Sequence, residues 1–236
     1  MKRTSLYRKL LFSFRKRFEP EVITMAHGIR QVVPKTLPAP LRKVLYKEQH
    51  ELPELELILA HLKAGDRVLE IGSGVGMIAT TCAVICGEDN VLCYEPNPKT
   101  INIIRENFKI NNLNVELRQR ALSTAKGSAT FYFNDNIVSS SLIDQDFGGA
   151  TDVECDDIAE VVDAVKPTVI VMDVEGAEID LLPAANLTHV SKIFVEMHPN
   201  IVGKEAIDCL NRQLEDLGFV YRKELCRSKV AFYEKY

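Results

Sequence analysis

The stretch Val68-Leu69-Glu70-Ile71-Gly72-Ser73-Gly74-Val75-Gly76 decides how the rest of the chain is read. Its apolar first half has the length of a buried parallel strand, and the apolar run Met77 to Cys86 behind it reads as a helix. Glycine at 72, 74 and 76 permits a tight turn in which a ligand can approach backbone N–H groups closely. The next apolar run, Val91-Leu92-Cys93-Tyr94, is followed at once by Glu95. This is the strand-helix-strand distance at which nucleotide-binding folds place a carboxyl group to hold ribose hydroxyls. A dinucleotide fingerprint would put glycine at 77, where this chain has Met77, which weighs against a nicotinamide nucleotide.

On either side of this unit the pattern divides the chain into an N-terminal extension, 1–50, and a ligand-binding domain, 51–236. In the extension, Glu21 to Met25 and Ile29 to Val33 read as a small hairpin around His27-Gly28, and Pro34, Pro38 and Pro40 break regular structure. A helix is expected from Leu52 to Leu62. Beyond Glu95, helix Pro98 to Asn111 and strand Val115 to Leu117 continue an alternation that implies a parallel sheet with right-handed crossovers. Arg118 to Ala121 and Ala129 to Phe133 read as a hairpin-like insertion, and 134–152 as a long mobile loop that closes over a substrate. Helix Asp156 to Val165, strand Val169 to Asp173, strand Ile193 to Met197 and helix Ala206 to Leu217 follow. Two antiparallel strands, Phe219 to Leu225 and Lys229 to Tyr233, close the chain.

Bulk composition narrows the function classes. The 236 residues are 46% hydrophobic and 26% charged, as in an ordinary globular protein, and a net charge of -4 gives no overall attraction to nucleic acid. None of the six cysteines forms a Cys-x-x-Cys pair, which argues against a zinc site and suits a reducing cytoplasm. No apolar run has the length of a membrane span. The first eighteen residues are distinct: Lys2, Arg3, Arg8, Lys9, Arg15, Lys16 and Arg17 precede any acid and interleave with leucines and aromatics. Such a segment suits peripheral contact with an anionic membrane, or packing on the domain or on a second copy in a homodimer.

In open α/β sheets, ligands bind beyond the carboxyl ends of the strands. The acids there are Glu70, Glu95, Asp173, Glu175 and Glu196, with His198 beside them. Residues two apart in an extended strand share a face, so Asp173 with Glu175, and Glu196 with His198, would gather at one place if their strands are neighbours. Two chemistries are open for such a cluster: His198 as general base toward a hydroxyl, or Mg²⁺ or Mn²⁺ held by the acids. Glu178 reads as an acid at a helix N-terminus, and His27, His50, His61 and His189 as surface or turn residues.

These residues resemble the FkbM-type methyltransferases. The similarity runs from the glycine loop through Tyr94-Glu95-Pro96-Asn97-Pro98 and Ala121-Leu122-Ser123 to Met172-Asp173-Val174-Glu175-Gly176-Ala177-Glu178 and Val195-Glu196-Met197-His198. The resemblance implies a class I methyltransferase fold, Rossmann-like, with a mostly parallel seven-stranded sheet and an antiparallel C-terminal strand. It implies S-adenosylmethionine as cofactor, met by Glu70, Gly72, Ser73, Gly74, Gly76, Glu95, Pro96, Ala121 and Asp173. It further implies methyl transfer to a hydroxyl oxygen, with a sugar of a glycan, glycolipid or natural product as acceptor and Asp173, Glu175 and His198 as the catalytic group. The rival readings are a nicotinamide-dependent oxidoreductase and a non-catalytic cofactor-binding scaffold that docks a membrane or a partner enzyme.

Overall fold

The computed structural model describes residues 5–133, 140–141, 149–226 and 228–235. The extension contributes α1 (Ser5–Phe18), a hairpin of β1 (Val22–Thr24) and β2 (Arg30–Val32), and α2 (Ala39–Tyr46). After α3 (Leu52–His61) come β3 (Val68–Ile71), α4 (Met77–Cys86), β4 (Val91–Tyr94), α5 (Pro98–Ile110) and β5 (Glu116–Arg118). A smaller sheet holds β6 (Ala121–Ser123), β7 (Gly127–Phe133), β8 (Ser140–Ser141) and β9 (Gly149–Asp157). The chain then returns through α6 (Ile158–Val165), β10 (Val169–Met172), α7 (Glu178–Ala184), β11 (Lys192–Glu196), α8 (Pro199–Val202), α9 (Lys204–Asp216), β12 (Val220–Tyr221) and β13 (Val230–Glu234).

The main sheet has seven strands in the order β12-β13-β11-β10-β3-β4-β5. Strands β11, β10, β3, β4 and β5 are parallel, and β13 runs antiparallel to both β11 and β12. This is the class I methyltransferase arrangement, Rossmann-like. Alternate strand residues feed two apolar layers, as period-two side chains must in a sheet covered on both faces. Val68, Cys93, Val169, Val171 and Phe194 face α4 and the extension, while Leu69, Leu92, Ile170, Met172 and Ile193 face α6, α7 and α9.

Strand register sets the site. Met172 lies level with Ile71 and with Val195, and Ile71 with Tyr94. The next residue along each strand, Asp173, Gly72, Glu196 and Glu95, therefore falls in one row at the carboxyl edge of the sheet. The extension is tied to that edge by a side chain in α5. Asn107 Oδ1 accepts the Val32 N–H at 2.6 Å, and its amide nitrogen donates to the Val75 carbonyl of the glycine loop at 2.7 Å.

Several sequence expectations need correction. Proline does not break the chain at 39–46: Pro38 is the N-cap residue of α2 and Pro40 sits in its first turn, where a missing N–H costs nothing. Strands β6 and β7 do not form a hairpin with each other; β9 lies between them, parallel to β6 and antiparallel to β7. Within the expected loop 134–152, residues 149–152 belong to β9, while 134–139 and 142–148 lie outside the described residues. The strand was hidden because its inward positions, Val153 and Cys155, alternate with Asp152, Glu154 and Asp156. Asp157 caps α6 rather than lying inside it, its side chain accepting the Ala159 N–H at 2.8 Å.

Candidate functional site

The row of strand ends opens into a cavity of about 300 Å³. Gly72, Gly74, Glu95 and Pro96 line one side, Asp173, Val174, Glu175 and Glu196 another, and Ala121 and Phe131 from the smaller sheet a third. Glu70, Ser73, Gly76 and His198 do not line it. Glu70 is buried behind the glycine loop, where it accepts the Ser73 hydroxyl at 2.5 Å. Burial pushes its carboxyl up to about 7, the Ser73 hydrogen bond pulling the other way. This geometry is that of a residue that fixes the loop.

Gly72 shows why the loop needs glycine. Its φ is +86°, and an added Cβ would fall 1.9 Å from the carbonyl oxygen of Asp173. The loop after β3 and the end of β10 thus touch backbone to backbone, which only a residue without Cβ allows. Glu95 is held from both sides. Its Oε2 accepts the Gly74 N–H and its Oε1 the Asn97 N–H, each at 2.8 Å. Burial raises this carboxyl to about 7 against the opposing pull of those two bonds.

Asp173, Glu175, Glu196 and His198 do converge. His198 is buried, and its Nε2 lies 3.3 Å from Glu175, 3.7 Å from Asp173 and 3.8 Å from Glu196. Asp173 and Glu175 stand between the imidazole and the cavity. Glu178, which the sequence presents as a helix-terminal acid, is wholly buried. Its Oε1 lies 3.0 Å from His198 Nδ1 and accepts the His198 backbone N–H at 3.0 Å, while its Oε2 accepts the Gly176 N–H at 2.8 Å. This orients the ring so that Nε2 faces the three acids. Burial pulls the imidazole pKa down, but the Glu178 hydrogen bond and Asp173 outweigh it, so the net shift is upward. Burial also raises Asp173 well above the usual carboxyl range, reinforced by Glu196 and offset in part by His198. Glu175 has φ +51°, a left-handed backbone rare for a residue with a side chain and found disproportionately at functional sites.

Comparison with known families decides what this edge belongs to: residues 70–221 match the model of the methyltransferase FkbM domain. The chain belongs to that family. The FkbM match begins at Glu70 and takes in every strand end of the row. A hexuronic acid methyltransferase, AglP of Haloferax volcanii, is 26% identical over 161 residues, which is 66% of this chain and 66% of that protein, a little under two thirds. Among solved structures, the ribosomal protein L11 methylase of Lactobacillus delbrueckii subsp. bulgaricus is 14% identical with a TM-score of 0.47, over 80% of each chain. The tRNA (uracil-54, C5)-methyltransferase of Pyrococcus abyssi, solved in complex with S-adenosyl-L-homocysteine, is 15% identical with a TM-score of 0.48, over 91% of this chain and 44% of that one.

Upstream of the FkbM match, three titratable residues and Pro53 also reach the cavity, none of them among the site residues expected from the sequence. His50, expected at the surface, lies with Glu51 and Glu54 in its wall. His50 Nε2 is 3.0 Å from Glu51 Oε1; burial lowers the imidazole pKa, yet Glu51 raises it further, for a net upward shift. Glu54 is raised well above the ordinary carboxyl range by burial and then by Glu51 and Asp173. Glu51 itself has φ +48° and passes close over the glycine loop, so that a Cβ on Gly74 would lie 3.3 Å from its Oε1. No single motif announces this trio, because they arrive through the docking of α3. Of the other histidines, His27 meets the Thr81 hydroxyl at 3.3 Å, His61 packs against the Phe232 ring at a tilt of 38° and His189 is exposed.

The site fits a cationic ligand. Asp173 Oδ1 and Glu51 Oε2 are buried yet accept no hydrogen bond, and each keeps lone pairs for a donor. The wall also gathers Glu54, Glu95, Glu175 and Glu196, so a positive charge would be favoured there. Among the described residues no helix is long and apolar enough to cross a membrane.

Proposed function

We propose that the protein is an S-adenosylmethionine-dependent O-methyltransferase acting on a hydroxyl of a sugar. The observation that carries this reading is the row of strand ends. A glycine loop and Glu95 stand on one side, and Asp173 and Glu175, backed by an oriented His198, stand on the other. S-adenosylmethionine supplies an electrophilic methyl on a positive sulfonium. Glu95 holds the ribose hydroxyls, Gly72 and Gly74 admit the ligand against the backbone, Pro96 and Ala121 flank it, and Glu51, Glu54 and Asp173 complement its positive charge. A hydroxyl becomes an adequate nucleophile when a positioned base removes its proton in the transition state. Asp173 and Glu175 line the cavity and take that role, and Asp173, raised by burial and then by Glu196, is a stronger base than an ordinary carboxylate. His198 acts through them as a positioning residue, its ring fixed by Glu178. Most of the acceleration comes from holding the hydroxyl in line with the methyl and excluding water.

A sugar acceptor is supported by AglP, whose hexuronic acid offers hydroxyls of the kind this reading needs. A second reading keeps a metal. Ligand atoms of Asp173, Glu175 and His198 lie within 4.8 Å of one another, and a carboxyl group on the far nitrogen of the imidazole is the usual support of a metal-bound histidine. A nitrogen ligand would favour Mn²⁺ over Mg²⁺. Calorimetric titration of S-adenosylmethionine with and without these ions, then transfer of labelled methyl to a panel that includes hexuronic acids, tests both readings. Binding near one equivalent and label on oxygen are expected. Failure to bind, or label on nitrogen, on carbon or on the carboxylate oxygen as a methyl ester, overturns the proposal, and turnover insensitive to chelator removes the metal.

A further inference from the structure

Helix α1 carries a surface that the site does not use. Its inner face is anchored: the Arg15 guanidinium donates to the Tyr46 carbonyl at 3.0 Å and the Thr24 carbonyl at 2.7 Å, and pairs with Glu48 at 2.9 Å. Phe12 packs against the core beside it. The opposite face is apolar and open. Leu6, Leu10, Phe14 and Phe18 recur every four residues and so form one stripe along the helix. They are 68%, 62%, 56% and 66% exposed, and Tyr7 widens the stripe. Lone exposed apolar residues need no explanation, but a stripe of aromatic and leucine side chains does.

The charge around the stripe says what covers it. Arg8, Lys9, Lys16 and Arg17 are exposed on the same helix, Arg17 three residues on from Phe14 and so on the stripe's side and the others on the remaining faces, and α1 contains no acid. The first eighteen residues hold seven of the 29 Lys and Arg residues of the chain and none of its 33 Asp and Glu residues, so the remainder is strongly acidic. A second copy docked through the same face would bring two basic helices together, which like charges oppose. An apolar stripe on a helix whose only charged side chains are cations matches the boundary between headgroups and acyl chains of an anionic bilayer.

We propose that α1 is an interfacial membrane helix, laying Leu6, Leu10, Phe14 and Phe18 into the surface of an anionic lipid bilayer while Arg15 holds it to the body of the protein. The acidic body is repelled by the same surface, so α1 alone touches the lipid. The binding is electrostatic as well as apolar and weakens with salt.

Sedimentation of the full chain with phosphatidylcholine vesicles, with and without phosphatidylserine, tests this. Binding to the phosphatidylserine vesicles alone, falling as salt rises, is expected. Each cation near such a surface contributes about fivefold in binding, so the triple variant Lys9→Glu/Lys16→Glu/Arg17→Glu should lose about a hundredfold or more. Leu10→Asp/Phe14→Asp should abolish binding by removing the apolar anchor. Both variants leave Arg15 and Phe12 in place, and an unchanged far-ultraviolet spectrum and melting temperature confirm that they fold. No binding to either vesicle overturns the proposal, as does binding that both variants retain. Light scattering without vesicles provides the other overturning result: a dimer that Leu10→Asp/Phe14→Asp dissociates would make the stripe a contact between copies.

Discussion

Replacing Gly72 by alanine tests the backbone contact on which the site is built. The added carbon would lie 1.9 Å from the Asp173 carbonyl oxygen and 2.9 Å from the carbonyl carbon, so one backbone must move. Neither can retreat freely. The Gly72 N–H donates to the Tyr94 carbonyl at 2.9 Å, and the Asp173 N–H to that of Ile71 at 3.0 Å. A side chain at φ +86° costs about 1–2 kcal/mol. Forced displacement in a packed region adds about 1–3 kcal/mol. The total of roughly 2–5 kcal/mol is about 4–20 °C in Tm for a chain of this size. Gly218→Ala serves as the control, because Gly218 has φ +88° with nothing within 4 Å of the added carbon. It should lose only the conformational part, about 2–8 °C. Scanning calorimetry measures both variants, and methyl transfer should fall in Gly72→Ala alone as Asp173 is displaced. Equal melting temperatures for the two would refute the reasoning, since the collision would then cost nothing.

Other perturbations follow from the same geometry. Glu95→Ala leaves the Gly74 and Asn97 N–H groups without their acceptor and should weaken S-adenosyl-L-homocysteine by about 10–100-fold in calorimetry; unchanged affinity would remove Glu95 from the ribose site. Glu70 at about 7 holds its proton in the folded state over a range, from about pH 4.3 upward, where the unfolded chain has lost it. A raised carboxyl therefore contributes less stability as pH rises, and Glu70→Gln should gain on the unmodified chain between about pH 4.3 and 7 in urea denaturation. A difference independent of pH would sink that assignment. His198→Ala should lower turnover while sparing cofactor binding. Because His198 holds Asp173 and Glu175 down, its loss should also move the acid limb of the pH–rate profile upward; an unchanged limb with full turnover would exclude the role.

The fold was legible where the signal is local. Val68 to Gly76 announces a buried strand and a tight turn through residue types alone, and Glu95 and Asp173 each close an apolar run of strand length. Chain connectivity then forces a parallel sheet, because strands joined by helices return in the same direction. Strand β9 escaped because one face of it is acidic, and α2 because proline reads as a breaker everywhere except in a first turn.

The site was legible only as a set of strand ends. That Asp173 and Glu196 are level with Gly72 and Glu95 is a matter of register between strands, which no one segment contains. The burial of Glu178 against His198, and the arrival of His50, Glu51 and Glu54 over the glycine loop, depend on helices docking on a finished sheet. By itself the sequence determined which residues end the strands, since hydrophobic period and glycine act over a few neighbours. The tertiary structure alone decided which of those ends face one another. It also decided how far their charges shift, because burial and proximity belong to the assembled chain.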